Sequence, residues 1–146
     1  MADAGVVHFV NADLIAAGLS PMRPELAAVS AARLFLAELG RLASARAHFA
    51  FESTLAGRTY RTRLMHWKAQ GYRVEFVYLK LATPALALRR ITSRVRLGGH
   101  NVPRADVLRR FSRSWDNFVT EYRPLADAWV VLDNSGAHPR FLEQGP

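Results

Sequence analysis

Two short apolar segments each lead into an acidic residue. The carboxylate of such a residue could bind a ligand by accepting hydrogen bonds from hydroxyl or amide groups of that ligand. The strand-like run 6–10 is followed by a turn that carries Asp13, and the run 48–51 is followed by Glu52 and Thr54. In open α/β folds, ligands bind in the crevice at the carboxyl ends of the strands. We therefore expect Asp13 and Glu52 to face one crevice, where carboxylates accept hydrogen bonds from hydroxyl or amide groups.

Arginine supplies most of the positive charge, since only two of the 20 basic residues are lysine and the formal net charge is +8. Eight arginines fall within residues 89–113, on both sides of the glycine pair 98–99. Guanidinium groups bind phosphate oxygens in a planar, paired geometry. Helical spacing places Arg110, Arg113 and Asn117 on one face, where two guanidinium groups can reach one phosphate. We therefore interpret this segment as a phosphate-facing lid; the alternatives are a coding bias towards arginine and a solvated basic helix face.

Strand and helix signals alternate along the chain, which is typical of a parallel sheet flanked by helices. Further strands are predicted at 73–79 and 129–132, and helices at 25–44, at 59–70, after Thr83 and Pro84, and after Pro103. Thr83 is a typical helix cap with proline at the next position, and Gly71 is a typical helix end. In the last helix, apolar residues recur at near-helical spacing: Val107, Phe111, Trp115, Phe118 and Tyr122. The predicted fold class is α/β.

Composition excludes several classes of protein. The chain has 146 residues and 50% apolar content, so we expect a single domain, residues 1–146. It has no cysteine, which excludes disulfides and thiolate metal sites. Neither a secretory signal nor a long apolar run is visible, so we expect a cytoplasmic protein without a membrane partner. The five histidines lack metal-ligand spacing, so no metal site built by the protein is expected.

Four segments together resemble the zeta toxin family of P-loop kinases, in particular its branch of zeta-toxin-like predicted ATPases. They are FVNADLIAAGLSP, FAFESTLAGR, RVRLGGHNVP and LDNSG, in this order over nearly the whole chain. The resemblance implies a P-loop kinase-like parallel sheet flanked by helices. It also implies that ATP and Mg²⁺ are used to phosphorylate a hydroxyl of a small acceptor, such as the nucleotide sugar UDP-N-acetylglucosamine.

The same resemblance implies roles for individual residues. Asp13 would be the base that takes the proton from the acceptor hydroxyl, a role that depends on position more than on a shifted pKa; the alternative is a helix cap. Glu52 and Thr54 would bind the acceptor. Arg113 and Arg110 would neutralise the charge on the transferred phosphate oxygens.

Four further assignments follow from the resemblance. Arg58 would hold an acceptor phosphate, or would simply pair with a surface acid. Arg96 would contact phosphate from the lid. His100 stands where some relatives place an arginine. Asn134 would lie near the adenine, or would belong to a plain turn.

The phosphate loop that the family places before these segments has no counterpart in this sequence. Its pattern GxxxxGK[ST] does not occur, and the two lysines, Lys68 and Lys80, follow no glycine-rich loop. We expect the fold to lack the first strand, the phosphate loop and the first helix, and this chain alone to be inactive. The gap would leave the strands 48–51 and 73–79 with an unpaired edge and the chain poorly stable, unless these strands pair directly.

Two other functions are compatible with the sequence. The chain could be a non-catalytic remnant that binds an acceptor or a partner protein through the Asp13 and Glu52 crevice. It could also be a basic nucleic-acid-binding module, although its arginines are not interleaved with aromatic residues and no reading helix or RNA motif is visible. The partners expected from the family are a small-molecule acceptor and, for a toxin, an antitoxin protein.

Overall fold

The chain is a mixed α/β protein that divides into two compact units. The computed structural model describes residue 5 and residues 8–99 and 101–146. The N-terminal unit is Met1–Ser53, and the C-terminal unit is Thr54–Pro146. The described strands form one two-stranded and one three-stranded sheet, and helices flank them. None of the described helices combines the length and the apolar character needed to cross a bilayer.

Two parallel strands and two helices make up the N-terminal unit. In chain order, its elements are β1 (His8–Val10), α1 (Ala12–Leu19), a 3₁₀ turn (Pro24–Ala27), α2 (Ala28–Ser44) and β2 (Phe49–Phe51). Small side chains let the helices approach closely, since Ala16 of α1 packs with Ala27 and Ala31. Helix α2 also supports the strands, because the ring of Phe35 meets that of Phe51 edge to face, with 5.9 Å between centroids.

The sequence predicted the strands of this unit better than its helices. Both predicted strands are present, although residues 6 and 7 of the first lie outside the described part of the chain. The helix predicted at 25–44 begins later, because Pro24 opens a 3₁₀ turn and the α-helix starts only at Ala28. Helix α1 was not predicted, since its eight residues are too few to show a helical period.

The C-terminal unit is built on a three-stranded sheet. Its elements are α3 (Thr59–Ala69), β3 (Glu75–Lys80), α4 (Pro84–Arg96), α5 (Arg104–Asn117), a π turn (Phe118–Tyr122), a 3₁₀ turn (Arg123–Leu125), β4 (Ala128–Asp133) and β5 (Arg140–Gly145). Strands β3 and β4 are parallel, with Phe76 opposite Trp129. Strand β5 runs antiparallel to β4, with an irregularity between Val131 and Leu132.

The predicted parallel sheet therefore needs two corrections. Strand β5 was not predicted, and it is antiparallel because the connection 134–139 is too short for the crossover that a parallel strand would need. Among the described residues, β2 pairs only with β1, and β3 pairs only with β4. The direct pairing of these two strands, considered above as one way to close the sheet, is therefore not formed.

An aromatic cluster forms the core of the C-terminal unit. Phe118 and Tyr122 in the π turn are fully buried, at 0% exposure. The ring of Phe118 stacks on Tyr78 of β3 at 4.6 Å between centroids, and the ring of Tyr122 lies 6.0 Å from Phe76. The predicted apolar stripe does face the sheet, but the α-helix that carries it ends at Asn117 and continues as the π turn.

Two predicted helix ends are confirmed, one by a hydrogen bond and the other by its backbone conformation. The Thr83 hydroxyl accepts a hydrogen bond from the backbone N–H of Leu86, and Pro84 is the first residue of α4. Gly71 follows α3 with a φ of 93°, a left-handed conformation that glycine adopts without steric cost.

Replacing Gly145 by alanine should destabilise the C-terminal unit. An added Cβ would lie 2.5 Å from the indole ring of Trp129, which is buried, so the ring or β5 must shift. We expect a loss of about 1–3 kcal/mol in the free energy of unfolding, as for other overpacked cores. Urea unfolding followed by tryptophan fluorescence measures this unit, because all three tryptophans belong to it. The matched control is Gly136→Ala, whose Cβ meets nothing closer than 3.9 Å; an equal loss in both variants would contradict the explanation.

Candidate functional site

Asn11 links the two acidic segments of the N-terminal unit. It directly follows β1, and its side-chain Nδ2 donates a hydrogen bond to Glu52 Oε2 at 2.7 Å. The pairing of β1 with β2 brings these residues together, since the backbone N–H of Glu52 also donates to the carbonyl of Val10. The Glu52 carboxylate is thereby oriented at the carboxyl ends of both strands, as the sequence predicted for a ligand-binding residue.

Asp13 lies in the first turn of α1 with its side chain exposed. It is not the helix cap, because Asn11 Oδ1 accepts the hydrogen bonds from the backbone N–H groups of Asp13 and Leu14. Among the described residues of its unit, no basic side chain pairs with its carboxylate. Within the described part of its unit, the carboxylate is therefore available to a ligand.

The segment 54–57 is held against α5 and the π turn by two hydrogen bonds to its carbonyl groups. Asn117 Nδ2 donates to the Leu55 carbonyl at 2.9 Å, and the Tyr122 hydroxyl donates to the Gly57 carbonyl at 2.5 Å. Leu55 is buried and has a φ of 54°, which is uncommon for a residue other than glycine. Such a backbone persists only where its surroundings hold it, so the segment is tightly positioned.

This segment and α5 border a groove of about 320 Å³, which we call the loop–α5 groove. It is lined by Thr54, Ala56, Gly57, Arg109, Arg110 and Arg113. Arg109 pairs with Asp106 at 2.6 Å. In the part of the chain that the structure describes, no carboxylate lies within ion-pair distance of Arg110 or Arg113. Two exposed guanidinium groups on adjacent turns of one helix therefore give the groove a positive charge without a neutralising acid.

Three of the predicted residues thus share one groove, namely Thr54, Arg110 and Arg113. Arg58 lies outside it and forms an ion pair with Glu121 at 3.1 Å, and Arg61 forms a second ion pair with the same carboxylate at 3.2 Å. These ion pairs agree with the alternative interpretation of Arg58, in which its side chain pairs with a surface acid.

The other predicted lid residues are not in the loop–α5 groove. Arg96 lines a separate groove between α4 and α5, and its predicted contact with phosphate stays a prediction. Asn117, predicted on the same helix face as Arg110 and Arg113, donates a hydrogen bond to the Leu55 carbonyl. His100 lies outside the described residues.

Asn134 starts the turn between β4 and β5, and its backbone N–H donates to the carbonyl of Lys80. The preceding residue, Asp133, accepts hydrogen bonds from Ser135 and from Arg140, and these bonds hold the pKa of its carboxyl at about 2. The polar groups of this turn bond to Lys80 of β3, to Arg140 of β5 and to each other, and a place near the adenine stays a prediction for Asn134.

Two residues of the site had no functional role in the sequence analysis, Tyr122 and Leu55. Tyr122 was recognised only as part of the apolar stripe, because spacing cannot show where a hydroxyl group will bond. Leu55 has a backbone conformation that its residue type disfavours. No cluster of three or more histidine, cysteine, aspartate or glutamate residues that could hold a metal occurs among the described residues.

Comparisons with known proteins give one relative. No protein-family model matches the chain, and no solved structure matches it. The chain is similar to an uncharacterized protein of Haemophilus influenzae, with 31% identity over 91 residues. These residues make up 62% of this chain and 65% of that protein, so the match spans just under two thirds of the relative.

Replacing Tyr122 by phenylalanine should change both stability and its dependence on alkaline pH. Burial raises the pKa of Tyr122, and burial likewise raises that of Tyr78. The unfolded chain therefore ionises first, so these groups stabilise the fold below pH ~10 and lose that contribution as the pH rises further. At pH 8, Tyr122→Phe should lose about 1–2 kcal/mol, because the Gly57 carbonyl loses its donor. Urea unfolding at several pH values up to ~11 should show a shallower alkaline decline for the variant; an unchanged decline would refute the role of Tyr122.

Proposed function

We propose that this chain carries the acceptor-binding and phosphate-binding part of an ATP-dependent phosphotransferase of the zeta toxin type. The observation that supports this most strongly is the loop–α5 groove, in which Arg110 and Arg113 lack acidic partners beside the positioned segment 54–57. A phosphate group is the kind of ligand whose charge suits such a groove. A nucleotide sugar such as UDP-N-acetylglucosamine, which carries two phosphates between its sugar groups, suits a groove of about 320 Å³ that is open to solvent.

The chemistry of the groove suits phosphate in two ways. Guanidinium groups three positions apart on a helix lie on the same side and can bind different oxygens of one phosphate. Thr54 adds a hydroxyl to the opposite wall, which can donate a further hydrogen bond. Since Asn117 and Tyr122 hold that wall in place, little ordering is required when the ligand binds.

The family resemblance assigns roles towards an acceptor to two residues of the N-terminal unit. Glu52, held by Asn11, can accept hydrogen bonds from sugar hydroxyl or amide groups. Asp13, whose carboxylate has no basic partner among the described residues of its unit, could take the proton from the hydroxyl that is phosphorylated. Both roles follow from the family resemblance and form part of the proposal.

The residues described do not fit ATP and Mg²⁺ in the way the family binds them. The sequence has no GxxxxGK[ST] loop, whose backbone N–H groups and lysine hold the phosphates of ATP. The described residues also include no acidic cluster for a metal. In an enzyme of this type, ATP would supply the phosphoryl group.

A second candidate function is binding of the acceptor without catalysis. It is favoured by the same lack of a phosphate loop, because the loop–α5 groove and the Glu52 carboxylate do not depend on it. The chain would then hold or sequester a nucleotide sugar. The two functions differ in whether ATP binds and is consumed.

Replacing either Arg110 or Arg113, which have no acidic partner among the described residues, should weaken binding of a nucleotide sugar. Isothermal titration of the chain with UDP-N-acetylglucosamine should give measurable binding, and Arg113→Gln or Arg110→Gln should weaken it about tenfold or more, because each removes a charged hydrogen bond to phosphate. Arg109→Gln is the matched control, since Arg109 lines the same groove but is paired with Asp106. It should change the dissociation constant less than about threefold. Absence of binding to the unaltered chain, or equal losses in all three variants, would overturn the proposal.

Titration with ATP and Mg²⁺ separates catalysis from acceptor binding. We expect no ATP binding by this chain in the concentration range where the nucleotide sugar binds, because the sequence lacks the loop that grips the phosphates. This outcome would leave binding of the acceptor as the function of this chain by itself. ATP binding with consumption of the nucleotide sugar, followed by phosphorus NMR, would instead establish a kinase with an unorthodox phosphate site. In that case Asp13→Asn should abolish turnover and leave binding of the nucleotide sugar within about twofold.

A further inference from the structure

Helix α4 is an amphipathic helix whose apolar face is incompletely covered. None of its 13 residues is buried within the part of the chain that the structure describes. Its leucines and isoleucine, such as Leu88 and Ile91, are half-exposed. Helices of this length usually owe their stability to packing of the apolar face. The uncovered part of α4 is therefore available for a partner.

A groove of about 820 Å³ runs between α4 and α5, and we call it the α4–α5 groove. Leu88 and Leu108 contribute apolar surface to it, together with Pro84 and Ala85. Leu108 is 38% exposed. This groove shares no lining residue with the loop–α5 groove.

Three arginines line the α4–α5 groove without acidic partners. They are Arg89 and Arg96, which lie two turns apart on α4, and Arg104 at the start of α5. Among the described residues, no carboxylate lies within ion-pair distance of any of them. Arg89 and Arg96 are about 10 Å apart along the helix axis. The groove therefore combines an apolar floor with a long positive border.

The positive charge and the apolar surface of the α4–α5 groove favour one kind of binding partner over others. A second copy of the chain would bring the same three arginines against each other, and two chains of net charge +8 repel. Single-stranded nucleic acid is usually bound by stacking its bases on aromatic rings, and none of the described residues that line this groove is aromatic. An amphipathic helix with leucine-like residues on one side and acidic residues beside them matches both the floor and the border.

We propose that the α4–α5 groove is a docking site for an acidic amphipathic helix of a partner protein. The apolar side of that helix covers Leu88 and Leu108, and its carboxylates pair with Arg89, Arg96 and Arg104. This inference does not depend on the proposed function, because it uses no residue of the loop–α5 groove.

A synthetic peptide tests the proposal. The probe is a fluorescent helix of about 18 residues, long enough to form a helix, composed of leucine, alanine and glutamate with the leucines on one face. Fluorescence anisotropy with the full chain, at about 0.15 M ionic strength, should show saturable binding. A scrambled peptide of the same composition should bind at least about tenfold more weakly, because its leucines no longer form one face.

Two double variants of equal charge locate the binding surface. Arg89→Gln with Arg96→Gln should weaken binding of the amphipathic peptide at least about tenfold. The matched control is Arg33→Gln with Arg94→Gln, which removes two exposed arginines outside the groove, one of them on α4 itself; it should change the affinity less than about twofold. Circular dichroism checks that all variants are folded. The proposal is wrong if the scrambled peptide binds equally well, if both double variants lose affinity alike, or if only an oligonucleotide competes for the groove arginines.

Discussion

Tyr122 connects the core of the C-terminal unit with the segment that borders the candidate site. Its ring is buried against β3, and its hydroxyl donates to the carbonyl of Gly57. Ring and hydroxyl belong to one rigid side chain, so the position of the segment 54–57 follows from the packing of the π turn on the sheet. Arg110 and Arg113 lie on the helix that leads directly into this turn. The same aromatic packing therefore positions both walls of the loop–α5 groove.

The distribution of positive charge is informative because acidic residues are scarce. With 12 acidic residues for 20 basic ones, the chain has fewer carboxylates than basic side chains to pair with them. Exposed ion pairs contribute little to stability, so the fold does not depend on which arginines are paired. What matters is that unpaired arginines line two separate grooves of the C-terminal unit, whereas Arg58 and Arg109 pair with Glu121 and Asp106.

Much of the local structure could be predicted from the sequence, and the site could be predicted only in part. The four predicted strands are present, and Thr83 and Gly71 act at helix ends as expected. Arg110, Arg113 and Thr54 share one groove, whereas Arg96 lines another, and the functional roles predicted for all four stay predictions. The resemblance to zeta toxins stays a prediction, and its roles for Asp13 and Glu52 belong to the proposed function.

The sequence by itself determined the features that depend on neighbouring residues. Helix caps, the alternation of strands and helices and the apolar stripe of α5 all follow from contacts within a few positions. Only the tertiary structure decided which distant groups meet. Asn117 donates a hydrogen bond to the Leu55 carbonyl, and Arg96 lines the α4–α5 groove, because packed helices bring together residues from separate parts of the chain. Spacing along one helix shows which side chains share a face, but it does not show which residues lie opposite that face. The function of an arginine depends on those opposite residues.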